Sequence, residues 1–330
     1  MNSEVVMLVV SLLYGIPSLV LYVVILVQLV RPKYEKRFNN PFFKLCFLLG
    51  VVDCFGYLNS YVFFTLPTYS IFAPFYGSSL FTPSAFTTAF YFANYFLSYL
   101  QIFGNCFLTL NRFTCVVLPM KHAAMWRTLF PLSIAITVIS ALAPCWHLLL
   151  SRAFYIPLFD DSPDQALAME YDKKKFPRFS NSFNMFLCNF VACSLCLLMN
   201  TISSIFLVLH TSKSSGVSVK SRKAELNLFF MALLIFLLQS FFGIHQVLMY
   251  IGMKTRNDGL VTVLYTLVTW LTDLRYLSPP WVLFLVSTSI RETVMHLLPP
   301  RLRKHWSIDS APVTVTSVSV KAKFMKCVNV

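Results

Sequence analysis

Charge is what this sequence has least of. Only 12% of its 330 residues are charged, against 57% hydrophobic and 16% aromatic, and a soluble domain carries roughly twice that charged share. No charged residue stands between Val5 and Val30, and none between Cys54 and Asn111. Apolar stretches of about 20 residues are long enough to cross the hydrocarbon core of a bilayer. The chain therefore reads as an integral membrane protein.

Other absences narrow the class further. There is no HExxH, no GxSxG and no set of histidines and carboxylates at metal spacing, so the reading is not an enzyme, with no cofactor and no metal. Eight of the nine cysteines, from Cys46 to Cys196, fall within or beside apolar runs. There they behave as small hydrophobes, and no disulfide framework is expected. Cys193 and Cys196 form a CxxC inside an apolar run, without histidines at zinc spacing, and read as helix packing. Cys327 is fourth from the end, but Asn329 and Val330 fit prenylation poorly. No internal repeat is visible, which argues against a transporter built from inverted halves. The net charge of +14 is spread in short clusters between apolar runs, as juxtamembrane charge is, and does not point to nucleic acid.

What is present is a series of seven apolar spans: about Val5–Val30, Pro41–Leu66, Pro83 to Arg112, a fourth to about Leu150, a fifth ending near Leu209, about Glu225–Ile251, and about Leu260–Val286. The first is too long for a signal-peptide core and lacks a basic leader, so it is expected to be a retained helix. A short loop with Lys121 and Arg127 is expected after Arg112, and one long loop from Ser151 to Phe179. Beyond the seventh span, Ile290, Val294, Leu297 and Leu298 recur at i, i+4, i+7 and i+8, the spacing of a short amphipathic helix lying on a membrane surface. The fold class is thus an all-α membrane bundle of seven helices with a peripheral helix, occupying residues 1–300. Residues 301–330 read as a basic, disordered tail. Of the 27 Lys and Arg, 19 flank the side that carries the tail, seven flank the other, and Arg275 lies within a span. The positive-inside rule then puts the N-terminus outside and the C-terminus in the cytoplasm.

The third span carries a polar stripe: Asn94, Ser98, Gln101, Asn105 and, at its end, Arg112. Steps of 4, 3, 4 and 7 return to one helical face. Such a stripe turns inward to partners, either as packing glue or as a working surface. Two more intramembrane charges, Asp53 and Arg275, each lie 12 residues from the inner end of a span, roughly 18 Å deep. Neither stands easily alone in hydrocarbon, so a buried ion pair is expected between them. Asp273, two residues from Arg275, points to another face and is expected in the cavity with ligand or water. Gln239, Gly243 and Gln246 share one face of the sixth span. With Asn94, Ser98 and Gln101, and with Phe242 and Trp270 as apolar walls, they outline a small-ligand pocket. These polar residues bonding only to one another is the competing expectation.

Leu110-Asn111-Arg112-Phe113 with Pro119, then Lys121-His122 and Trp126, resembles the third-span exit of nematode chemoreceptors of the Srg superfamily, including its Srv branch. Those receptors are themselves rhodopsin-like seven-transmembrane receptors. Lys223-Ala224-Glu225-Leu226 is similar to the start of their sixth span. Leu49 and Asp53 match the rhodopsin-like second span, and Pro280 followed by Ile290-Arg291 matches the seventh-span proline and peripheral helix. Asn111 stands where most such receptors have an acidic residue, the sixth span has no proline, and no cysteine is placed to tie the third span to the long loop.

The resemblance implies a chemosensory G-protein-coupled receptor of the plasma membrane, in the cilia of sensory neurons, with membrane lipid around it. A small-molecule ligand would bind in the outer half of the bundle. A heterotrimeric G protein would couple through Asn111, Arg112, Phe113, Pro119, Lys223 and Glu225. Arg112 as a positive-inside anchor that snorkels to phosphate is the plainer alternative. Asp53, Arg275, Asn105 and Asp273 would form an intramembrane network. A multi-span transporter or ligand-gated channel is the alternative class, since it also carries midspan charge.

Overall fold

Seven long helices and a short eighth account for most of the chain in a computed structural model, which describes residues 3–81, 84–157, 166–177, 179–211 and 219–297. The long helices are α1 (Ser3–Val30), α2 (Pro41–Ser60), α3 (Ala85–Val117), α4 (Pro119–Leu142), α5 (Asn181–Thr211), α6 (Val219–Thr255) and α7 (Asp258–Val286). The short α8 is Thr288–Met295. The expected tail, Cys327 and Leu298 lie outside the described residues, as do the side chains of Lys223 and Glu225 on the first turns of α6.

Helix limits follow local chemistry. Asn40 caps α2 by accepting from Phe42 N at 3.1 Å, with Pro41 at the first helical position, where its missing N–H costs nothing. Ser84 caps α3 and Asn257 caps α7 in the same way. At the far end of α2 the helix widens into a π turn over Tyr61–Thr65 before Pro67 stops it. Between α3 and α4 a single residue, Leu118, breaks the helix at φ −127° and ψ 50°, because Pro119 bars the α conformation to the residue before it. The expected loop with Lys121 and Arg127 is thus absent, and both residues ride on α4.

In the bundle α3 is the hub, packed against α2, α4, α5 and α6, while α7 closes the ring against α6, α1 and α2. Five of the seven (α1, α2, α4, α5 and α6) are long and apolar enough throughout to cross a membrane. The other two, α3 and α7, carry the polar stripe and the Asp273 and Arg275 charges, which lower their hydropathy. Leu13 and Ile16 of α1 and Ile139 of α4 are exposed on the bundle's outside, as a lipid-facing surface requires. Gly50 lets α1 and α2 approach. A methyl there would meet Leu26 Cδ2 at 2.6 Å and Tyr22 Cε2 at 2.8 Å.

The segment expected as one long loop contains an antiparallel hairpin, β1 (Ala153–Pro157) and β2 (Leu167–Tyr171), in the register Ala153↔Tyr171 to Pro157↔Leu167. It sits over one end of the bundle. No disulfide fixes it, since all eight cysteines among the described residues are free. Hydrogen bonds do that work: Ala153 N donates to Thr88 Oγ1 of α3 at 3.1 Å, and Tyr155 Oη to Phe63 O at 2.9 Å. At the opposite end an apolar cluster of Phe42, Leu45, Leu108, Met231, Ile235 and Leu283 seals the bundle, with Ile290 of α8 packed into it. Arg37 pairs with Glu292 at 2.6 Å and ties α8 to the turn after α1.

Candidate functional site

Beneath the hairpin, α3, α5, α6 and α7 enclose a cavity of about 520 Å³, within the range of small-molecule sites. Aromatic rings make much of its wall, among them Tyr91, Tyr95, Phe242 and Tyr265. Glu170 and Lys173, an ion pair on the hairpin side, border its mouth. Asn94, Ser98, Gln246 and Arg275 bring polar groups to it. His245 also lines it, with Nε2 held to Leu264 O at 2.9 Å. That bond makes Nε2 the protonated nitrogen, since a carbonyl only accepts. His147 is bound to Asn181 at 3.0 Å, so both span histidines serve as hydrogen-bond partners between elements.

The floor is built by α7 and its prolines. Pro279 has no N–H, so the carbonyl of Arg275, four residues earlier, loses its helical donor. Gln101 Nε2 of α3 reaches that carbonyl at 3.3 Å. The same carboxamide accepts from Arg275 Nε through Oε1 and donates to Asp53 Oδ1 at 2.6 Å. Arg275 Nη2 donates to Ser98 O at 2.7 Å, and its guanidinium lies 4.4 Å from the Phe242 ring centroid. Ser98 Oγ and Tyr276 Oη are 3.1 Å apart beside it. On the far side Tyr22 Oη donates to Asp53 Oδ2 at 2.6 Å. One chain of contacts thus runs from the cavity floor through α7, α3 and α2 to α1.

This geometry corrects the expected Asp53–Arg275 ion pair. Both are buried, but Gln101 stands between them, so each charge is satisfied by opposite ends of one amide dipole. The reason is in the packing: α3 is the hub, and its side chain fills the gap that a direct pair would have to close. Asp273 is also displaced from its expected place. It accepts from Tyr14 of α1 and faces away from the cavity. Trp270 lies on the same outer side of α7, 6.1 Å from the Tyr14 ring, and is 40% exposed. A residue two or five positions from Arg275 cannot share its face. Gln101 and Gln239 sit deeper than the cavity, where Asn105 Nδ2 donates to Gln239 Oε1 at 3.1 Å. Asn94, Ser98, Phe242 and Gln246 line the cavity. The polar stripe does face inward along its whole length.

At the sealed end, Arg112 is 6% exposed, its guanidinium 3.5 Å from the centroid of Phe42. Neither an accessible cation nor a snorkelling anchor describes it, because the ring of α2 covers it. Asn111 is fully buried, and its carboxamide has no hydrogen-bond partner among the described residues. Phe113 is half-buried and Pro119 exposed. Two residues beyond Arg112, Thr114 Oγ1 accepts from Trp126 Nε1 at 2.9 Å and contacts His122 Nδ1 at 3.1 Å, which fixes the α3–α4 junction. Tyr14, Tyr22 and Tyr276, whose hydroxyls complete the network, are not singled out by the sequence. In sequence they pass as apolar aromatic residues, and only burial beside a carboxylate reveals the polar tip.

A model of the Srg chemoreceptor family matches residues 8–294. Among curated proteins of Caenorhabditis elegans, serpentine receptor class gamma-10 is 25% identical over 217 residues, 66% of this chain and 63% of the relative. Serpentine receptor class V-1 is 35% identical over 114 residues, 34% of each chain. Serpentine receptor class gamma-31 is 26% identical over 306 residues, 88% of this chain and 92% of the relative. The aligned stretches thus span less than two thirds of the length of gamma-10 and V-1.

Proposed function

The chain belongs to the Srg family of chemoreceptors, multi-pass membrane proteins and not enzymes, and from that premise we propose that it detects a small molecule in the cavity beneath the hairpin and signals through a heterotrimeric G protein. The hairpin end faces outward, the N-terminus with it, and the tail lies in the cytoplasm of a sensory cell, in its cilia. The distribution of Lys and Arg supports this orientation. Asn94, Ser98, Phe242 and Gln246 contact the ligand, and Arg275 forms the floor.

The observation that carries the reading is the shared floor. Arg275 borders the cavity and at the same time holds Gln101, which holds Asp53. A ligand can shift an equilibrium only by binding two arrangements with different affinity. A ligand that touches Arg275 or Ser98 acts on the contact chain joining α7, α3, α2 and α1, so it favours one helix arrangement over another. At the opposite end the arrangement seen here buries Arg112 under Phe42. Activation therefore consists of separating α6 and α2 from α3 enough to uncover Asn111 and Arg112 for the G protein, with Phe113, Pro119, Lys223 and Glu225 at the rim.

The test is a screen of small metabolites and volatiles on cells expressing the chain, reading second messenger and membrane current together. Second-messenger change without current supports the receptor reading. A ligand-evoked current that persists without G protein would instead favour a channel.

A further inference from the structure

At the end of the bundle opposite the hairpin, two concavities adjoin on the outer surface of α2 and α4. One, of about 640 Å³, is bordered by Asn39, Asn40, Lys44, His122, Trp126 and Arg127. The other, of about 260 Å³, is a groove between α1, α2 and α4, bordered by Leu29, Phe38, Phe43, Phe47 and Ile134. Lys44 and Phe130 border both, with Lys44 Nζ 6.0 Å from the Phe130 ring centroid. A basic, amide-bearing pocket is therefore joined to an apolar groove across one lysine.

Among the described residues no carboxylate neutralises the charge in the pocket. Neither Lys44 nor Arg127 has a carboxylate within ion-pair distance among the described residues, and Glu292, on the nearby α8, is held by Arg37. A water-soluble anion would use the pocket and leave the groove. A neutral lipid would use the groove and leave two cations unmatched. An anionic glycerophospholipid uses both parts, its phosphate between Lys44 and Arg127 and one acyl chain along Phe43, Phe47 and Ile134. Basic pockets between helices at a cytoplasmic membrane face bind such head groups.

We propose that this paired pocket and groove is a binding site for an anionic phospholipid of the leaflet on the tail side. It also bears on the end of α3 that carries Arg112. His122 and Trp126 form the pocket wall, and both contact Thr114, two residues beyond Arg112. A bound head group braces that junction. Only the naming of the leaflet rests on the orientation proposed above; the site itself stands on geometry.

The experiment uses the full chain purified in detergent, mixed with phosphatidylcholine and phosphatidylinositol 4-phosphate of the same acyl composition, with bound lipid counted by native mass spectrometry. The phosphoinositide is expected to be retained over phosphatidylcholine by about fivefold for each basic residue that engages it. Lys44→Gln with Arg127→Gln brings retention down to the phosphatidylcholine level. Lys33→Gln with Lys36→Gln, which removes equal charge from the neighbouring turn, leaves the preference intact. Ile134→Trp, which fills the groove, weakens both lipids, and soluble inositol 1,4-bisphosphate fails to displace the bound lipid. Lipid-free melting temperatures of the variants, equal to that of the wild type, exclude misfolding. The proposal is overturned if both double variants lose lipid equally, which is a diffuse basic surface. It is overturned as well if the soluble head group displaces the lipid, an anion pocket only, or if phosphatidylcholine is retained equally, a neutral-lipid groove.

Discussion

Gln101 and Asp53 are joined by a 2.6 Å hydrogen bond in which the amide donates to the carboxylate, and this bond is what replaces an ion pair between Asp53 and Arg275. The amide is polarised from both sides, accepting from a guanidinium at one end and donating to a carboxylate at the other. Removing it takes one hydrogen-bond partner from each of two buried charges, which keep Tyr22 and Ser98 O, and each such loss costs about 1–3 kcal/mol. Gln101→Ala should therefore lose surface expression, and its melting temperature in detergent should fall well below that of the wild type. The charge exchange Asp53→Arg with Arg275→Asp should give no rescue, since the two residues do not touch and an aspartate at 275 has no N–H to donate to Ser98 O. Recovery of folding by that exchange would show a direct pair after all.

Tyr22→Phe keeps the ring against Gly50 and deletes only the hydroxyl that donates to Asp53. A charged acceptor that loses a buried donor costs about 1–3 kcal/mol. The expected result is a lower melting temperature with ligand potency little changed, because Tyr22 lies on the side of Asp53 away from the cavity. An unchanged melting temperature would remove Tyr22 from the network.

Thr88→Val is nearly isosteric and takes away the acceptor for Ala153 N. The hairpin should then loosen. Hydrogen exchange over residues 153–157 and 167–171 should accelerate, and agonist potency should drop by about fivefold for a loss of roughly 1 kcal/mol. Protection equal to the wild type would mean that Tyr155 and an isolated antiparallel β-bridge between Ser84 and Ala153 hold the hairpin alone.

Arg112→Ala should abolish agonist-evoked signalling at normal surface levels, and Arg112→Lys should restore only part of it, because an ammonium lacks the planar fork. Phe42→Leu should raise basal signalling, since stacking of the guanidinium on the ring is worth about 1–2 kcal/mol when desolvated and holds Arg112 covered. If Arg112→Ala signals normally, the residue only packs.

Much of this architecture is legible from the residues. The charge-free runs mark the spans, and prolines at 41, 67 and 119 mark helix ends within a few residues. The stripe from Asn94 to Arg112 marks the inward face of the hub helix, because helical spacing survives in any tertiary context. What the residues conceal is the third partner. Asp53 and Arg275 share a depth, and depth alone suggests contact. Gln101 shares that depth too, yet nothing local indicates that Pro279 frees a carbonyl beside it. Trp270 and Asp273 look like pocket residues until the rotation of α7 is known, and that rotation is set by Trp281 Nε1 donating to Ser18 Oγ at 2.8 Å and by Tyr14 meeting Asp273. The hairpin escapes notice because Ala153–Pro157 and Leu167–Tyr171 are short and lack sustained alternation. Their pairing depends on Thr88 and Phe63, far away in sequence.

The central claim, that the cavity under the hairpin receives the ligand, is tested most directly by comparing Asn94→Trp with Trp270→Ala in agonist dose–response at matched surface expression. Asn94 lines the cavity, and an indole there fills it. Trp270 lies on the outer side of α7. The account predicts that Asn94→Trp raises the half-maximal agonist concentration by about tenfold or more, the loss of about 1.4 kcal/mol of binding, while Trp270→Ala leaves it within about twofold of wild type. Unchanged potency in Asn94→Trp, with a large loss in Trp270→Ala, would contradict it and place the ligand on the lipid-facing side of the bundle.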